Sequence, residues 1–122
     1  MNAQACTIAV IDDDLRVVES LANLLSSFGY GAQTYKSAEQ FLESGMLSQT
    51  SCIVTDVEMR QMSGLGLLQF LKKDNCDVPV IIITGKPSER SEAFYLENGA
   101  AGFFRKPVDA EALVELIASV CV

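Results

Sequence analysis

The stretch CTIAVIDDDLRVVESLANLLSSFG, Cys6 to Gly29, holds two hydrophobic periods separated by three consecutive carboxylates. Cys6 to Ile11 is short, apolar and partly β-branched, which reads as a strand buried on both faces. From Leu15 onward the apolar residues Val17, Val18, Leu21, Leu24, Leu25 and Phe28 fall on one stripe of an α-helix. Asp14 suits the cap of that helix, and Gly29 suits a left-handed stop. A buried strand, an acidic turn and an amphipathic helix make the first half of a parallel βαβ unit.

The same unit recurs down the chain. GAQTY (31–35) is a weaker strand, and SAEQFLES (37–44) opens with a capping box of Ser37 and Gln40. CIVT (52–55) is a buried strand, followed by a helix over Gly64 to Lys73 whose two terminal lysines match its dipole. PVIII (79–83) reads as strand, a helix is expected from Ser88 to about Asn98, and Gly99 stops it. GFFR (102–105) is a fifth strand, and Asp109 caps a last helix with Leu113, Leu116, Ile117 and Val120 on one side. Strands alternating with helices imply an α/β fold, a parallel sheet with helices on both faces. No linker, repeat or low-complexity tract interrupts the 122 residues, so a single domain, 1–122, is expected.

Composition removes several function classes. Sixteen acidic residues against 9 basic ones give a formal charge of −7, which opposes direct binding to nucleic acid or anionic membranes. The chain contains no histidine, so its chemistry must use carboxylates, hydroxyls, lysines or thiols. Cys6, Cys52, Cys76 and Cys121 show no paired zinc-ligand spacing and read as small, reduced, mostly buried side chains. With no leader-like start and no apolar run of spanning length, a cytoplasmic location is expected.

Ligands of such sheets gather beyond the carboxyl ends of the strands. The unusual residues fall there: Asp12 and Asp13 after the first strand, Asp56 after the third, Thr84 after the fourth and Lys106 after the fifth. Converging carboxylates repel unless a cation neutralises them, and Mg²⁺ suits a site of few carboxylates and retained waters. Asp12 and Asp13 then bind metal, and Asp56 is both ligand and nucleophile. Lys106 supplies a point charge for a phosphoryl oxygen, and Thr84 a hydroxyl donor to another.

DDD at 12–14, TDVEMRQMSGLGLL around Asp56, IIITG ending at Thr84–Gly85 and FFRKP around Lys106–Pro107 together resemble the receiver domain of two-component response regulators. The likeness extends over essentially the whole chain. MSG and the ITG ending are similar to receivers of the LuxR/FixJ-type subgroup, which precede a helix-turn-helix domain. The resemblance implies a doubly wound (βα)₅, flavodoxin-like (CheY-like) fold with strand order 2-1-3-4-5. It implies that Asp56 accepts a phosphoryl group from a phosphohistidine of a sensor histidine kinase, with Mg²⁺ or Mn²⁺ as cofactor. Asp13 and Asp56 would bind the metal directly, Asp12 through water, and Glu58 through its backbone carbonyl. Thr84 and Lys106 would contact the phosphoryl group, and Phe103 holds the family's switch-aromatic position. A cis Lys106–Pro107 bond is implied. Glu58 and Lys86 hold the two positions flanking the path of hydrolytic water.

Arg60 departs from the family, which usually has proline there to stiffen the loop beside the aspartate. The implied product is a phosphorylation-controlled switch, not an enzyme in the usual sense, although it takes part in its own phosphorylation and dephosphorylation. Homodimerisation on phosphorylation through the fourth helix and fifth strand is expected. DNA would be reached only through a separate effector domain, and a stand-alone receiver remains the alternative. A Mg²⁺-dependent aspartyl-phosphate phosphatase or phosphotransferase is the competing class. Glu58 would stand two residues after its nucleophile, but the small chain and the apolar residues that follow fit it poorly. A degenerate docking module and a flavin site have less support: the phosphorylation residues are present, and no phosphate loop follows the first strand.

Overall fold

The computed structural model describes residues 6–57, 62–85 and 91–121. Its strands are β1 (Thr7–Ile11), β2 (Gly31–Tyr35), β3 (Cys52–Asp56), β4 (Val80–Thr84) and β5 (Gly102–Arg105). Its helices are α1 (Leu15–Ser27), α2 (Ala38–Glu43), α3 (Gly64–Lys73), α4 (Glu92–Glu97) and α5 (Ala110–Val120). The strands form one parallel five-stranded sheet in the order β2-β1-β3-β4-β5, as the resemblance implied.

Alternation along the strands divides the core in two. Ala9, Ile11, Ile53, Val80 and Ile82 pack with Phe41, Leu67, Leu71 and Tyr95 of α2, α3 and α4. The intervening Ile8, Val10, Val54, Ile81 and Ile83 pack with Val18, Leu21, Leu25, Leu113 and Ile117 of α1 and α5. A central strand read as apolar at every position is one that must satisfy both layers. β3 and β4 are buried at all five positions, so polar chemistry is confined to their ends.

Local signals set the helix boundaries. Asp14, Ser37, Ser63, Ser91 and Asp109 each accept a backbone N–H of the first turn of the helix they cap. At α2, Gln40 Oε1 accepts the Lys36 N–H at 2.6 Å, one residue earlier than a standard capping box. Three helices stop in the same way, with a residue at positive φ after the cap: Gly29 (89°), Asn75 (57°) and Gly99 (103°). In each, the following amide bonds back to the last turn, as in Tyr30 N–H to Leu25 O, Cys76 N–H to Leu71 O and Ala100 N–H to Tyr95 O.

That turn corrects the expected stripe of α1. Phe28 is the C-cap and is 56% exposed, because the turn at Gly29 carries Tyr30 onto the apolar face instead. Three other expectations also shift. α4 begins at Glu92, with Ser91 extended as its cap, rather than at Ser88, which lies outside the described residues. Asp56 and Thr84 are the last residues of their strands rather than the first beyond them. A 3₁₀ turn at Leu47–Gln49, secured by Thr50 Oγ1 donating to Met46 O at 2.7 Å, had no clear sequence signal. Among the described residues, no helix is long and apolar enough to cross a membrane.

The contrast between Leu25 and Phe28 is measurable. Leu25→Ala, at a fully buried position, is expected to cost about 2–5 kcal/mol in urea unfolding. Phe28→Ala is expected to stay within about 0.5 kcal/mol of wild type, despite removing the larger side chain. Equal losses would place Phe28 in the core after all.

Candidate functional site

Parallel strands in register bring their carboxyl ends to one edge of the sheet. Ile11 pairs with Thr55, so the residues that follow, Asp12 and Asp56, emerge side by side from the two central strands. Asp12 is buried and anchored: its N–H donates to Tyr35 O at 3.1 Å, and its Oδ1 accepts the Asp14 N–H at 2.9 Å. Asp56 is buried and Asp13 exposed, yet one carboxylate oxygen from each of Asp12, Asp13 and Asp56 lies within 4.8 Å of the others. These residues, with Asp14, Val17, Gly85 and Lys106, line a cleft of about 380 Å³.

Lys106 enters this cleft from the end of β5. Its Nζ donates to Asp12 Oδ2 at 2.8 Å and to Asp56 Oδ2 at 3.4 Å. Partial burial works against the ammonium, but the Asp12 hydrogen bond and the charges of Asp56 and Asp12 outweigh it. The Lys106 pKa is therefore held above the usual lysine value. Its backbone N–H donates to Thr84 O at 2.8 Å, which ties the β5 end to the β4 end, and the Lys106–Pro107 bond is cis. Asp14 has a different task. Its carboxylate accepts the Arg16 N–H, which holds its pKa below the ordinary aspartate value.

The donor set fits a hard divalent cation. Three carboxylates face one ammonium, which leaves excess negative charge at the cleft mouth, where exposed Asp13 opens to solvent. Oxygen donors with room for water are the surroundings that Mg²⁺ prefers.

The expected residues therefore divide into three groups. Asp12, Asp13, Asp56 and Lys106 converge. Thr84 is buried at the adjoining strand end, and Phe103 sits on β5 in the α4 layer. The Phe103 ring is stacked on Tyr95 at 5.5 Å, with the Arg105 guanidinium 5.5 Å from its centroid on β5. Glu58, Arg60 and Lys86 lie outside the described residues.

Three supporting residues escaped sequence reasoning. A Cβ on Gly64 would come within 2.6 Å of the Asp56 carbonyl oxygen, so only glycine lets α3 start this close to β3. A Cβ on Gly85 would stand 3.1 Å from Lys106 Cδ, so the lysine stem runs across that glycine. Glu39 of α2 accepts the Met62 N–H at 2.7 Å, holding the approach to α3. The glycines were visible beside their motifs, but the Glu39 contact spans 23 residues and had no local signature.

Comparison with known proteins agrees with this geometry. Residues 8–118 match the response regulator receiver domain family, and the chain belongs to it. It is 39% identical over 114 residues to the transcriptional regulatory protein FixJ of Azorhizobium caulinodans, covering 93% of this chain and 54% of that protein. It is 34% identical over 117 residues to the response regulator protein TodT of Pseudomonas putida, covering 96% and 52% respectively. The chain thus spans about half the length of these curated relatives. Among solved structures, the response regulator StyR superposes with a TM-score of 0.87 at 33% identity, covering 96% of this chain and 59% of that one. The structure titled FixJ-N gives 0.84 at 30% identity, covering 99% and 95%. The resemblance to LuxR/FixJ-type receivers, read from four short motifs, is borne out.

Removing the Lys106 ammonium leaves two buried carboxylates adjacent. Lys106→Met is expected to lower stability at neutral pH by about 1–3 kcal/mol in metal-free urea titrations. Because the folded-state pKa is raised, this contribution is whole below the unfolded lysine value of about 10.4 and fades as pH rises through the folded value. A wild-type-to-variant difference that grew in that alkaline range would contradict the ion-pair assignment.

Proposed function

We propose that the chain is a phosphorylation-controlled switch, a single receiver domain over 1–122, in which Asp56 takes a phosphoryl group from the phosphohistidine of a sensor histidine kinase. The observation that supports this reading most directly is the meeting of Asp56 with Asp12, Asp13 and Lys106 at the carboxyl ends of the central strands. An Asp56 carboxylate oxygen attacks phosphorus, the phosphorus–nitrogen bond breaks, and the imidazole leaves with its electron pair. Asp13, Asp56 and the Glu58 backbone carbonyl would hold Mg²⁺ or Mn²⁺, with Asp12 acting through water. When bound, the cation supplies the positive charge that lets anionic nucleophile and phosphoryl oxygens approach. Lys106 turns from the carboxylates to a phosphoryl oxygen, and the Thr84 hydroxyl donates to another.

Thr84 then draws toward the phosphoryl group and Phe103 repacks, reshaping the α4–β5 face and favouring a homodimer. The equilibrium moves only as far as these contacts favour the active arrangement. Output is transcriptional, through a DNA-binding domain outside this chain, and the protein works in the cytoplasm. It is a phosphoacceptor that takes part in its own phosphorylation and dephosphorylation, rather than an enzyme that turns over a separate substrate. FixJ, named a transcriptional regulatory protein, supports the output reading.

Acetyl phosphate tests the acceptor directly. Wild type is expected to gain the mass of one phosphoryl group only with Mg²⁺ present, and Asp56→Asn to gain none. Stoichiometric labelling of that variant on another carboxylate would defeat the assignment. Catalytic turnover of a small phosphate ester would instead favour the phosphatase reading.

The same assay reports signal lifetime. Glu58 and Lys86 are proposed to pair across the phosphoryl group and obstruct the attacking water. Lys86→Ala and Glu58→Asn should each speed phosphate loss, with little added by combining them. About 1.4 kcal/mol on the barrier corresponds to a tenfold change in decay. Single-variant decay equal to or slower than wild type would rule the gate out.

A further inference from the structure

Three of the four cysteines, separated along the chain, meet at the opposite edge of the sheet from Asp56. Cys52 opens β3, Cys6 immediately precedes β1, and Cys121 caps the end of α5. All three pack into the α1/α5 layer of the core. The Cys6 thiol donates to the Cys121 carbonyl oxygen at 3.6 Å across a sequence separation of 115. The Cys52 thiol donates to the Ile53 carbonyl oxygen at 3.9 Å within the same cluster. Cys76 lies apart from them, in the α2/α3/α4 layer.

We propose that Cys121 and Cys6 form a peroxide-sensitive dithiol, with Cys121 as the attacking thiol, Cys6 as the resolving thiol and Cys52 as their buried neighbour in the same cluster. Exposure separates the roles. Cys52 is fully buried within the central strand, whereas Cys6 and Cys121 are half-buried and flank regular elements, where the backbone can adjust to disulfide geometry. The neighbouring Cys52 side chain, against the opposing effect of burial and with help from Cys6, lowers the Cys121 pKa to about 7. The Cys52 thiol is itself held strongly protonated by the neighbouring Cys121 side chain and by burial. Cys6 is raised by burial and by its contact with Cys121, which suits a partner that reacts second.

The chemistry balances with hydrogen peroxide as the oxidant. The Cys121 thiolate attacks one peroxide oxygen, an S–O bond forms, the O–O bond breaks, and hydroxide leaves to be protonated to water. The Cys6 sulfur then attacks the Cys121 sulfenic acid, an S–S bond forms, and a second water departs. Two thiols are oxidised and one peroxide is reduced to two waters. The product would pin the end of α5 to the strand beside which it packs, while leaving the phosphoryl cleft at the far edge untouched.

The test uses the full reduced chain, treated with hydrogen peroxide near neutral pH and mapped by mass spectrometry. A Cys6–Cys121 peptide lighter by two hydrogens is expected, reversed by dithiothreitol. Cys121 is expected to react about threefold or more faster than Cys76, which lies in the other core layer, away from the three clustered cysteines. Cys6→Ser should leave a sulfenic acid at Cys121 that a 1,3-dicarbonyl reagent traps, and Cys121→Ser should abolish the cross-link. Both variants should still accept phosphate from acetyl phosphate, which confirms that they fold. Equal oxidation of Cys121 and Cys76, a missing Cys6–Cys121 peptide, or a disulfide to Cys52 in its place would each overturn the proposal.

Discussion

Lys106 Nζ stands 2.8 Å from Asp12 and 3.4 Å from Asp56, and this bridge ties the end of β5 to the ends of β1 and β3. Two buried carboxylates on neighbouring strands would otherwise repel where the strand ends adjoin. The ammonium is partly buried as well, so each charge is held out of water by the same arrangement that compensates it. A packed apolar edge would hold the sheet as well without this electrostatic burden. The carboxylates belong to the phosphoryl-transfer reading, and the lysine is what makes their proximity tolerable.

The loop beside Asp56 shows a second compensation. Arg60 stands where the family usually has a φ-restricting proline, so the chain there lacks that local stiffener. The segment is nevertheless fastened at its far end. Glu39 accepts the Met62 N–H, Gly64 packs against the Asp56 carbonyl, and the Gly64 N–H donates to Val57 O at 3.1 Å. Met62 and Gly64, the described residues that follow, are thus held by long-range contacts. Glu39 Oε1 is buried with no hydrogen-bond partner among the described residues, so this clamp is only half satisfied.

The fold was legible because its signals are periodic and local. β3 and β4 must be apolar on both faces, and Asp14, Ser37 and Asp109 mark three of the helix starts. The site was legible because strand ends of a parallel sheet share one edge, so Asp12, Asp56, Thr84 and Lys106 could be placed together without coordinates. What escaped depended on geometry that no short window records. Phe28 fits the stripe of α1 yet lies outside it, because the turn at Gly29 redirects the chain. The cysteines show no metal-ligand spacing, yet Cys6, Cys52 and Cys121 converge because β1, β3 and α5 bring their ends together. Glu39 became a loop anchor only when α2 was docked beside α3.

The same alternation that divides the core gives the proposed switch its route. Ile82 and Thr84 share one face of β4, Phe103 and Arg105 share one face of β5, and Thr84 pairs with Arg105. The Arg105 guanidinium lies 5.5 Å from the centroid of the Phe103 ring, which also stacks on the Tyr95 ring of α4. In the proposed switch, Thr84 thus lies across the strand pair from Arg105, and the Phe103–Tyr95 stack links that strand to α4. Ile81, Ile82 and Ile83 are fully buried and leave the middle of β4 no room to respond. Under the proposed reading, a movement generated at the phosphoryl cleft would pass along the strand ends toward α4, whose Tyr95 stacks on Phe103.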